Sequence, residues 1–286
     1  MPVIETFREA LLAAGKISLP AWRNGKIAIA HKKGPGDYAT KSDLDAGAAM
    51  EAILTKELPD FPIVPEENKT GRLESEFRTE RQKILASGSF ILMDDLDATV
   101  RFRHGGEDWG HMLGLVHDGV LRHAALYLPS RDLFITAKRS GGCYLNGRQV
   151  TLDQSATITD GLLSLTLHKD VAEEVHREVT SRILYETAPS GCVCFNSNIG
   201  GIVRLLQGEL CGLLQFGHSW DFVGALCITE AGGTAVAPTG DELAWQQIPM
   251  VLVAGANQDI ADELLHITSQ YIGYHEHIYS NPKFQN

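Results

Sequence analysis

The segment SFILMDDLDATVRF, residues Ser89–Phe102, joins an uninterrupted apolar run to three closely spaced carboxylates. Phe90–Met93 has the composition of a buried strand, and Asp94, Asp95 and Asp97 follow at its end. Negative charges gathered at the end of a buried strand cost free energy unless a cation neutralises them. A hard divalent metal such as Mg²⁺, which takes oxygen ligands, is the simplest remedy. A solvated acidic turn is the alternative interpretation of the same residues.

Upstream of this segment the pattern predicts two helices. Apolar residues at helical spacing predict a first helix over about residues 4–22, disturbed at Pro20. Ser42 and Asp45 form an S-x-x-D capping box, which predicts the start of a second helix. Asp43 then lies at the N-terminal end of that second helix.

Shorter features lie between these helices and the acidic strand. The polar stretch HKKGPGDYATKSD, residues 31–43, is typical of a loop. Phe61–Val64 predicts a short strand that places Glu66 and Glu67 at its C-terminal edge. The polar residues from Asn68 to Lys83 favour a loop or flap over a helix.

Downstream of the acidic strand the chain reads first as a mostly antiparallel sheet. Apolar strands are predicted at Met112–Val116, Val120–Leu128 and Leu133–Ala137, and Asn146-Gly147 is a strong hairpin signal.

From about Leu162 the pattern changes to strand, helix and strand, which indicates a second lobe of α/β type. Helices are predicted within residues 171–183 and over Ile199–Leu206, and another opens at Trp220-Asp221 and stops at Gly232-Gly233. The sequence therefore predicts two lobes, an α+β lobe over residues 1–155 and an α/β lobe over residues 156–286.

Composition limits the class of function. The chain has 286 residues, of which 44% are hydrophobic and 21% charged, as in a globular protein. The net charge of -11 disfavours nucleic acid and anionic lipid as partners. No apolar run approaches a membrane span, and acidic residues interrupt the N-terminus where a signal peptide would be apolar. These features predict a cytoplasmic enzyme.

Several ordered motifs extend the interpretation beyond the acidic strand. A Glu-Glu pair, an acidic D-x-x-D segment followed by Thr, and a late W-D motif ahead of E-A-G-G occur in that order, together with an upstream D-x-x-T-x-x-D and a G-x-x-x-x-N-G neighbourhood. The residues are Glu66-Glu67, Asp94–Thr99, Trp220-Asp221, Glu230–Gly233, Asp37–Asp43 and Gly141–Gly147. In these blocks the chain resembles the inositol monophosphatase-like family of magnesium-dependent, lithium-sensitive phosphatases.

The resemblance implies a fold and an activity. The fold would be a two-lobe layered αβαβα sandwich of the sugar-phosphatase type, assembled as a homodimer. The activity would be Mg²⁺-dependent hydrolysis of a small soluble phosphorylated metabolite by metal-activated water, with no covalent enzyme intermediate. A nucleotide or sugar bisphosphatase of the same superfamily is one alternative. A degenerate member that binds a phosphorylated ligand or a protein partner without turnover is the other.

The resemblance also assigns site residues. Two or three Mg²⁺ ions would be held by Glu66, Asp94, the carbonyl of Leu96, Asp97 and Asp221. Asp43 and Thr99 would orient and deprotonate the attacking water. The backbone N–H groups of Ala98 and Thr99 would bind the phosphate at a helix start.

Two departures from the family pattern concern the metal loop. Asp95 replaces a proline, and it would either loosen the loop or point to solvent. Ala98 replaces a glycine, and its Cβ would add strain if φ is positive there.

The remaining candidates concern the substrate. Leu214 stands seven residues before Asp221, where the family usually carries an acidic residue that binds inositol hydroxyls, so inositol monophosphate becomes a doubtful substrate. Arg101 and Arg103 would either contact a second anionic group or lie on the surface. His218 would line the mouth of the pocket or act as a packed or capping residue.

Overall fold

A computed structural model describes residues 2–25, 27–34, 37–69, 73–167, 171–187, 191–193, 197–247 and 250–272. Within them the strands form a two-stranded hairpin, a seven-stranded sheet and a five-stranded sheet. The hairpin comprises β1 (Ile29–Gly34) and β2 (Asp37–Thr40). The seven-stranded sheet comprises β3 (Ile63–Pro65), β4 (Phe90–Asp97), β5 (Gly110–His117), β6 (Val120–Leu128), β7 (Leu133–Lys138), β8 (Gly142–Leu145) and β9 (Arg148–Val150). The five-stranded sheet comprises β10 (Leu163–Thr166), β11 (Cys192–Val193), β12 (Gly212–Gly217), β13 (Thr234–Val236) and β14 (Met250–Gly255).

The helices are α1 (Val3–Asn24), α2 (Lys41–Glu57), α3 (Glu74–Ala86), α4 (Thr99–Arg103), α5 (Glu173–Glu186), α6 (Asn198–Leu206), α7 (Ala225–Glu230) and α8 (Gln258–Ile272). A single 3₁₀ turn, Ser219–Phe222, precedes α7.

The seven-stranded sheet follows chain order from β3 to β9. Only the β3–β4 pair is parallel, so the predicted mostly antiparallel sheet is confirmed. At the hairpin between β8 and β9, Asn146 and Gly147 have φ angles of 48° and 79°. Two positive φ angles define the tight turn that an Asn-Gly pair favours.

The five-stranded sheet is mixed, with strand order β11-β10-β12-β14-β13. Strand β10 runs parallel to both β11 and β12, whereas β14 pairs antiparallel with β12 and β13. All residues of β12 and β14 are buried, as expected for strands covered by helices on both faces.

The elements stack in five layers. Helices α1 and α2 cover the outer face of the seven-stranded sheet, α6 and α7 lie between the two sheets, and α5 and α8 pack together with α8 against the second sheet. This αβαβα arrangement confirms the predicted fold class. One apolar core runs across both sheets, so the division near residue 155 stays a prediction.

The segment from Asn68 to Lys83 is the largest local correction, because a helix, α3, begins there at Glu74. Polar composition favoured a loop, but α3 lies on the surface and buries only Phe77 and Leu85. An exposed ion pair between Arg78 and Glu74, at 2.9 Å, bridges one turn of this helix.

The region before α2 also differs from expectation. The stretch predicted as a loop contains strands β1 and β2, and the capping box is formed by Thr40 and Asp43 instead of Ser42 and Asp45. Helix α2 begins two residues earlier than that box implied, and Asp45 instead lies 2.5 Å from Lys41 in an exposed pair.

The boundaries of two helices also differ from those predicted from the sequence. Helix α1 continues through Pro20 to Asn24, where Gly25 provides a left-handed cap with φ of 65°. The helix predicted to open at Trp220 is a 3₁₀ turn followed by the short helix α7, which ends at Glu230. Gly232, just beyond it, has a φ angle of 90°.

Candidate functional site

The carboxylates predicted at the end of the acidic strand meet one from the second half of the chain. Asp94 and Asp97 lie on β4, and Asp221 lies in the 3₁₀ turn that packs against β4. One carboxylate oxygen from each of the three residues lies within 4.8 Å of the others. All three side chains are buried. Three buried carboxylates at this separation repel one another and form a pocket of oxygen ligands suited to a hard cation.

Asp94 provides the clearest sign that a cation belongs here. Both of its carboxylate oxygens are buried, and neither has a hydrogen-bond partner within the described residues. Burial, followed by the charges of Glu66 and Asp97, raises the pKa of Asp94 well above its ordinary value. Buried polar atoms normally have hydrogen-bond partners. The two Asp94 oxygens lack them in the part of the chain that the structure describes, and a divalent metal ion would supply the missing interaction.

Asp97 is held by the start of helix α6. Its Oδ2 accepts a hydrogen bond from the Ser197 hydroxyl at 3.1 Å and another from the Ile199 N–H at 3.0 Å. Burial, with the nearby charge of Asp221, raises the pKa of Asp97 to about 7. The sequence did not predict these contacts, although Ser197 just before an apolar helical run is a recognisable N-cap.

Asp43 and Thr99 form a hydrogen-bonded pair beside this cluster. The Thr99 hydroxyl lies 2.9 Å from Asp43 Oδ1 and 3.1 Å from the carbonyl oxygen of Leu96. Asp43 Oδ2 accepts hydrogen bonds from the backbone N–H and the hydroxyl of Thr40. Burial is the main cause that raises the pKa of Asp43 to about 7, and the charge of Glu66 adds to it. A carboxylate in this state accepts a proton readily near neutral pH.

The backbone at Ala98, in the turn after β4, is strained, because its φ angle is positive. Ala98 has φ of 63° and ψ of 46°, in the left-handed region, at the position before α4. A residue with a Cβ is disfavoured there by about 1–2 kcal/mol relative to glycine.

Asp95 does not point to solvent. It is fully buried, its Oδ1 accepts a hydrogen bond from Lys69 Nζ at 2.7 Å, and its Oδ2 accepts one from the Glu67 N–H at 2.9 Å. Lys69 also lies 3.0 Å from Glu51. A Cβ at Gly47 would overlap the Asp95 carboxylate, so glycine is required there. Asp95 therefore forms a buried ion pair with Lys69, and its hydrogen bond to the Glu67 N–H links β4 to the segment after β3.

The Glu66-Glu67 turn sits beside β4. The Glu66 N–H donates to the carbonyl of Met93 at 3.0 Å, and Asp95 holds the next N–H along the chain. Glu67 itself is buried, with 2% of its surface exposed.

Leu214 is the site candidate that the structure does not bring to the cluster. It is fully buried in the apolar core, on the middle strand β12. The next residue, Gln215, faces the opposite side, where its Nε2 donates to the Asn198 carbonyl at 2.9 Å. Side chains alternate along a strand, so counting back from Asp221 selected the wrong face by one residue.

A buried polar group accompanies Gln215 on that face. Strand pairing places Thr166 opposite Gln215 and Ser164 two residues before it, and Asn198 begins helix α6 above them. One oxygen of each of these four side chains is buried without a hydrogen-bond partner in the described part of the chain. Asn198 and Asp221 approach the same point beside Gly217, which joins this polar group to the acidic cluster.

Arg101 and His218 both contact other residues of the protein. Arg101 lies 3.9 Å from the buried carboxylate of Asp108, which also pairs with Arg131 and Arg204. The His218 ring stacks on Trp220 at 4.7 Å between centroids, and the His218 N–H donates to Asp221 at 2.5 Å. His218 is therefore a packed and capping residue next to the cluster.

A five-layer αβαβα fold with a buried acidic cluster where its two sheets meet is the architecture of the sugar-phosphatase type. The profile of the inositol monophosphatase family matches residues 1–272, and the chain belongs to that family. It is 27% identical to an inositol-1-monophosphatase of Mesorhizobium japonicum over 210 residues, 70% of this chain and 72% of the relative.

Solved structures share the fold. The extragenic suppressor protein suhB from Bartonella henselae superimposes with a TM-score of 0.80 at 21% identity, over 94% of this chain and 99% of that one. The Thermotoga maritima IMPase superimposes with a TM-score of 0.78 at 18% identity, over 96% and 99%. Within the described residues, no helix has the length and apolar character needed to cross a membrane.

Proposed function

We propose that this protein hydrolyses the phosphomonoester of a small, polar, soluble metabolite in a Mg²⁺-dependent reaction. The observation that carries the proposal is the cluster of Asp94, Asp97 and Asp221, in which both oxygens of Asp94 are buried without a partner within the described residues. The Asp43–Thr99 pair adjoins this cluster through the Leu96 carbonyl.

Mg²⁺ fits the donor set because all the candidate ligands are oxygens, namely Glu66, Asp94, the Leu96 carbonyl, Asp97 and Asp221. When bound, divalent ions supply positive charge that acidifies water and stabilises the leaving oxygen. The chain's contribution is to hold these ligands dry and close together. The expected number of two or three ions stays a prediction that calorimetric stoichiometry measures.

The proton of the attacking water would pass to Thr99 and Asp43. The Thr99 hydroxyl donates its hydrogen to Asp43, so its lone pairs are available to accept a hydrogen bond from water. Thr40 holds the other oxygen of Asp43, which fixes the orientation of the carboxylate. This arrangement supports a direct attack by water, because the pair serves as a base and no nucleophilic side chain is needed.

The buried polar group suggests the chemistry of the leaving group. Gln215, Asn198, Ser164 and Thr166 offer buried oxygens without partners in the described residues, and Asn198 links this group to Asp221 beside Gly217. A hydroxylated leaving group would satisfy these oxygens. This supports a polyol or sugar phosphate and removes the objection that Leu214 raised against inositol phosphates. Because Arg101 is paired with Asp108, the structure gives less support to a bisphosphate.

Turnover is favoured over ligand binding without reaction. A degenerate member would be expected to lose ligands or scatter them, whereas Asp94, Asp97 and Asp221 stay clustered and Asp43 stays bonded to Thr99. Homodimer formation and a cytoplasmic location remain predictions from the resemblance, and light scattering of the purified protein measures the first.

The test is phosphate release from a panel of sugar, polyol, nucleotide and bisphosphate substrates, with Mg²⁺ and with EDTA. We expect release that requires Mg²⁺ and is fastest for a hydroxylated monophosphate. Absence of Mg²⁺-dependent release across the panel, from folded protein that binds Mg²⁺, would support the non-catalytic alternative.

A further inference from the structure

Helix α3 carries one side chain that turns back toward the acidic cluster. Most of this helix is exposed, but the guanidinium carbon of Arg81 lies 4.4 Å from the ring centroid of Phe77 and 4.6 Å from that of Trp220. Its Nη2 donates to the carbonyl oxygens of Pro65 at 3.0 Å and Glu66 at 2.8 Å.

These contacts join two segments that come from different sheets. Glu66 follows β3 at one edge of the seven-stranded sheet, and Trp220 precedes Asp221 in the 3₁₀ turn after β12. Trp220 is also stacked on His218, whose N–H holds Asp221. Arg81 therefore fixes the backbone of one candidate metal ligand and the immediate neighbour of another.

We propose that Arg81 is a positioning residue for the metal site, holding Glu66 and Asp221 at the separation that Mg²⁺ binding requires. This inference rests on the proposed function, because it takes Glu66 and Asp221 as metal ligands. A guanidinium suits the role, since one terminal NH₂ group donates to two carbonyls while the planar face packs on aromatic rings. Lysine keeps the charge but lacks this geometry.

The predicted effect is on metal affinity more than on the chemical step. Residues that orient metal ligands typically change affinity by about 10- to 100-fold when removed. Arg81→Met keeps an unbranched apolar side chain beside Phe77 and Trp220 and removes the donors. We expect Mg²⁺ binding to weaken by about tenfold or more, while kcat at saturating Mg²⁺ changes far less.

The experiment measures Mg²⁺ binding by isothermal titration calorimetry and kcat as a function of Mg²⁺ concentration for the wild-type chain, Arg81→Met and Arg81→Lys. Arg78→Met is the matched control, because Arg78 is on the exposed face of the same helix. Unfolding in EDTA, followed by circular dichroism, confirms that each variant is folded, and Arg81→Lys, the smaller change, covers the case in which Arg81→Met does not fold.

We expect Arg81→Lys to bind Mg²⁺ more weakly than the wild type and Arg78→Met to match the wild type. Wild-type Mg²⁺ affinity in folded Arg81→Met or Arg81→Lys would overturn the positioning role. A drop in kcat at saturating Mg²⁺ with unchanged affinity would also overturn it. Failure of the proposed function is separate, since it would appear as absent phosphate release by the wild-type chain.

Discussion

At the scale of single residues, Asp95 near the end of β4 and Ala98 just after it depart from the family pattern. Ala98 occupies a left-handed conformation that glycine adopts without strain, and Asp95 is buried against Lys69. Both residues lie next to candidate metal ligands, so the backbone strain at Ala98 and the burial of the Asp95 charge both occur beside the site. The stability of the protein should therefore respond to changes at either position.

Ala98→Gly should stabilise the protein. Relief of the left-handed strain gives about 1–2 kcal/mol, and the greater freedom of glycine in the unfolded chain returns about 0.4–1 kcal/mol. We expect a net gain of up to about 1.6 kcal/mol in urea unfolding. Ala52→Gly, on the exposed face of α2, is the control and should lose about 1 kcal/mol. A loss of stability in Ala98→Gly would show that the strain is absent in solution.

Lys69→Met should destabilise the protein in a pH-dependent way. Removing the lysine leaves Asp95 as a buried carboxylate without its cation, at a cost of about 3–5 kcal/mol when it is charged. Burial already raises the pKa of Asp95 to about 6, and loss of Lys69 raises it further. The loss should therefore be large at pH 8 and small at pH 5, where Asp95 is protonated.

Urea unfolding at the two pH values measures this loss, with Lys56→Met as the exposed control. Equal destabilisation at pH 5 and pH 8 would mean that the lost contact is packing instead of charge.

At the scale of elements, helix starts and strand ends do most of the placement. The N-terminus of α6 holds Asp97, the capping box of α2 holds Asp43, and β4 delivers Asp94 into the same space. Backbone N–H groups at helix starts favour carboxylates, so these termini hold carboxyl groups that repel one another.

Ser197→Ala tests the role of α6. It removes an N-cap, worth about 1 kcal/mol, and one of the hydrogen bonds to Asp97. We expect lower stability and a higher Mg²⁺ concentration for half-maximal activity. Ser155→Ala, in an exposed turn, should change neither. If the capping loss appears without any change in Mg²⁺ dependence, the contact to Asp97 does not matter for the site.

Strong local patterns predicted much of the fold from sequence. The acidic end of β4, the strand Val120–Leu128 and the Asn-Gly hairpin were all readable, because apolar runs and turn residues decide them locally. Helix α3 was missed because it buries few side chains and therefore lacks an apolar stripe. Gln215, Lys69 and Arg81 were missed because their partners are distant in the sequence, and only the fold brings them together.

At the scale of the whole molecule, several carboxyl groups are buried in the interior. Burial raises the pKa of Asp43 and Asp97 to about 7, that of Asp95 to about 6, and that of Asp94 well above its ordinary value. The buried His111 is shifted the other way, to about 4. Because the carboxyl groups outnumber the histidine, they decide whether the free energy of unfolding rises or falls with pH.

Between about pH 4 and pH 7 the folded carboxyl groups hold protons that the unfolded chain has released, so stability falls as pH rises. His111 opposes this, since a depressed histidine pKa adds stability as pH rises through about 4 to 6.5. We expect the free energy of unfolding in EDTA to decrease from pH 5 to pH 8, and Mg²⁺ to restore it at pH 8 because the ion binds the folded state. Stability in EDTA that rises over this interval would contradict the buried charge cluster.

We propose that the carboxylates around Asp94 form the metal site of a phosphatase. The most direct measurement is Mg²⁺-dependent phosphate release by Asp94→Asn and by the wild-type chain, on the best substrate of the panel. Asparagine removes one negative charge from the site that would hold the cations, and those cations stabilise the charge of the transition state. We therefore predict a loss in kcat of at least about 100-fold, with the fold intact by circular dichroism. Full Mg²⁺-dependent activity in folded Asp94→Asn would contradict the account.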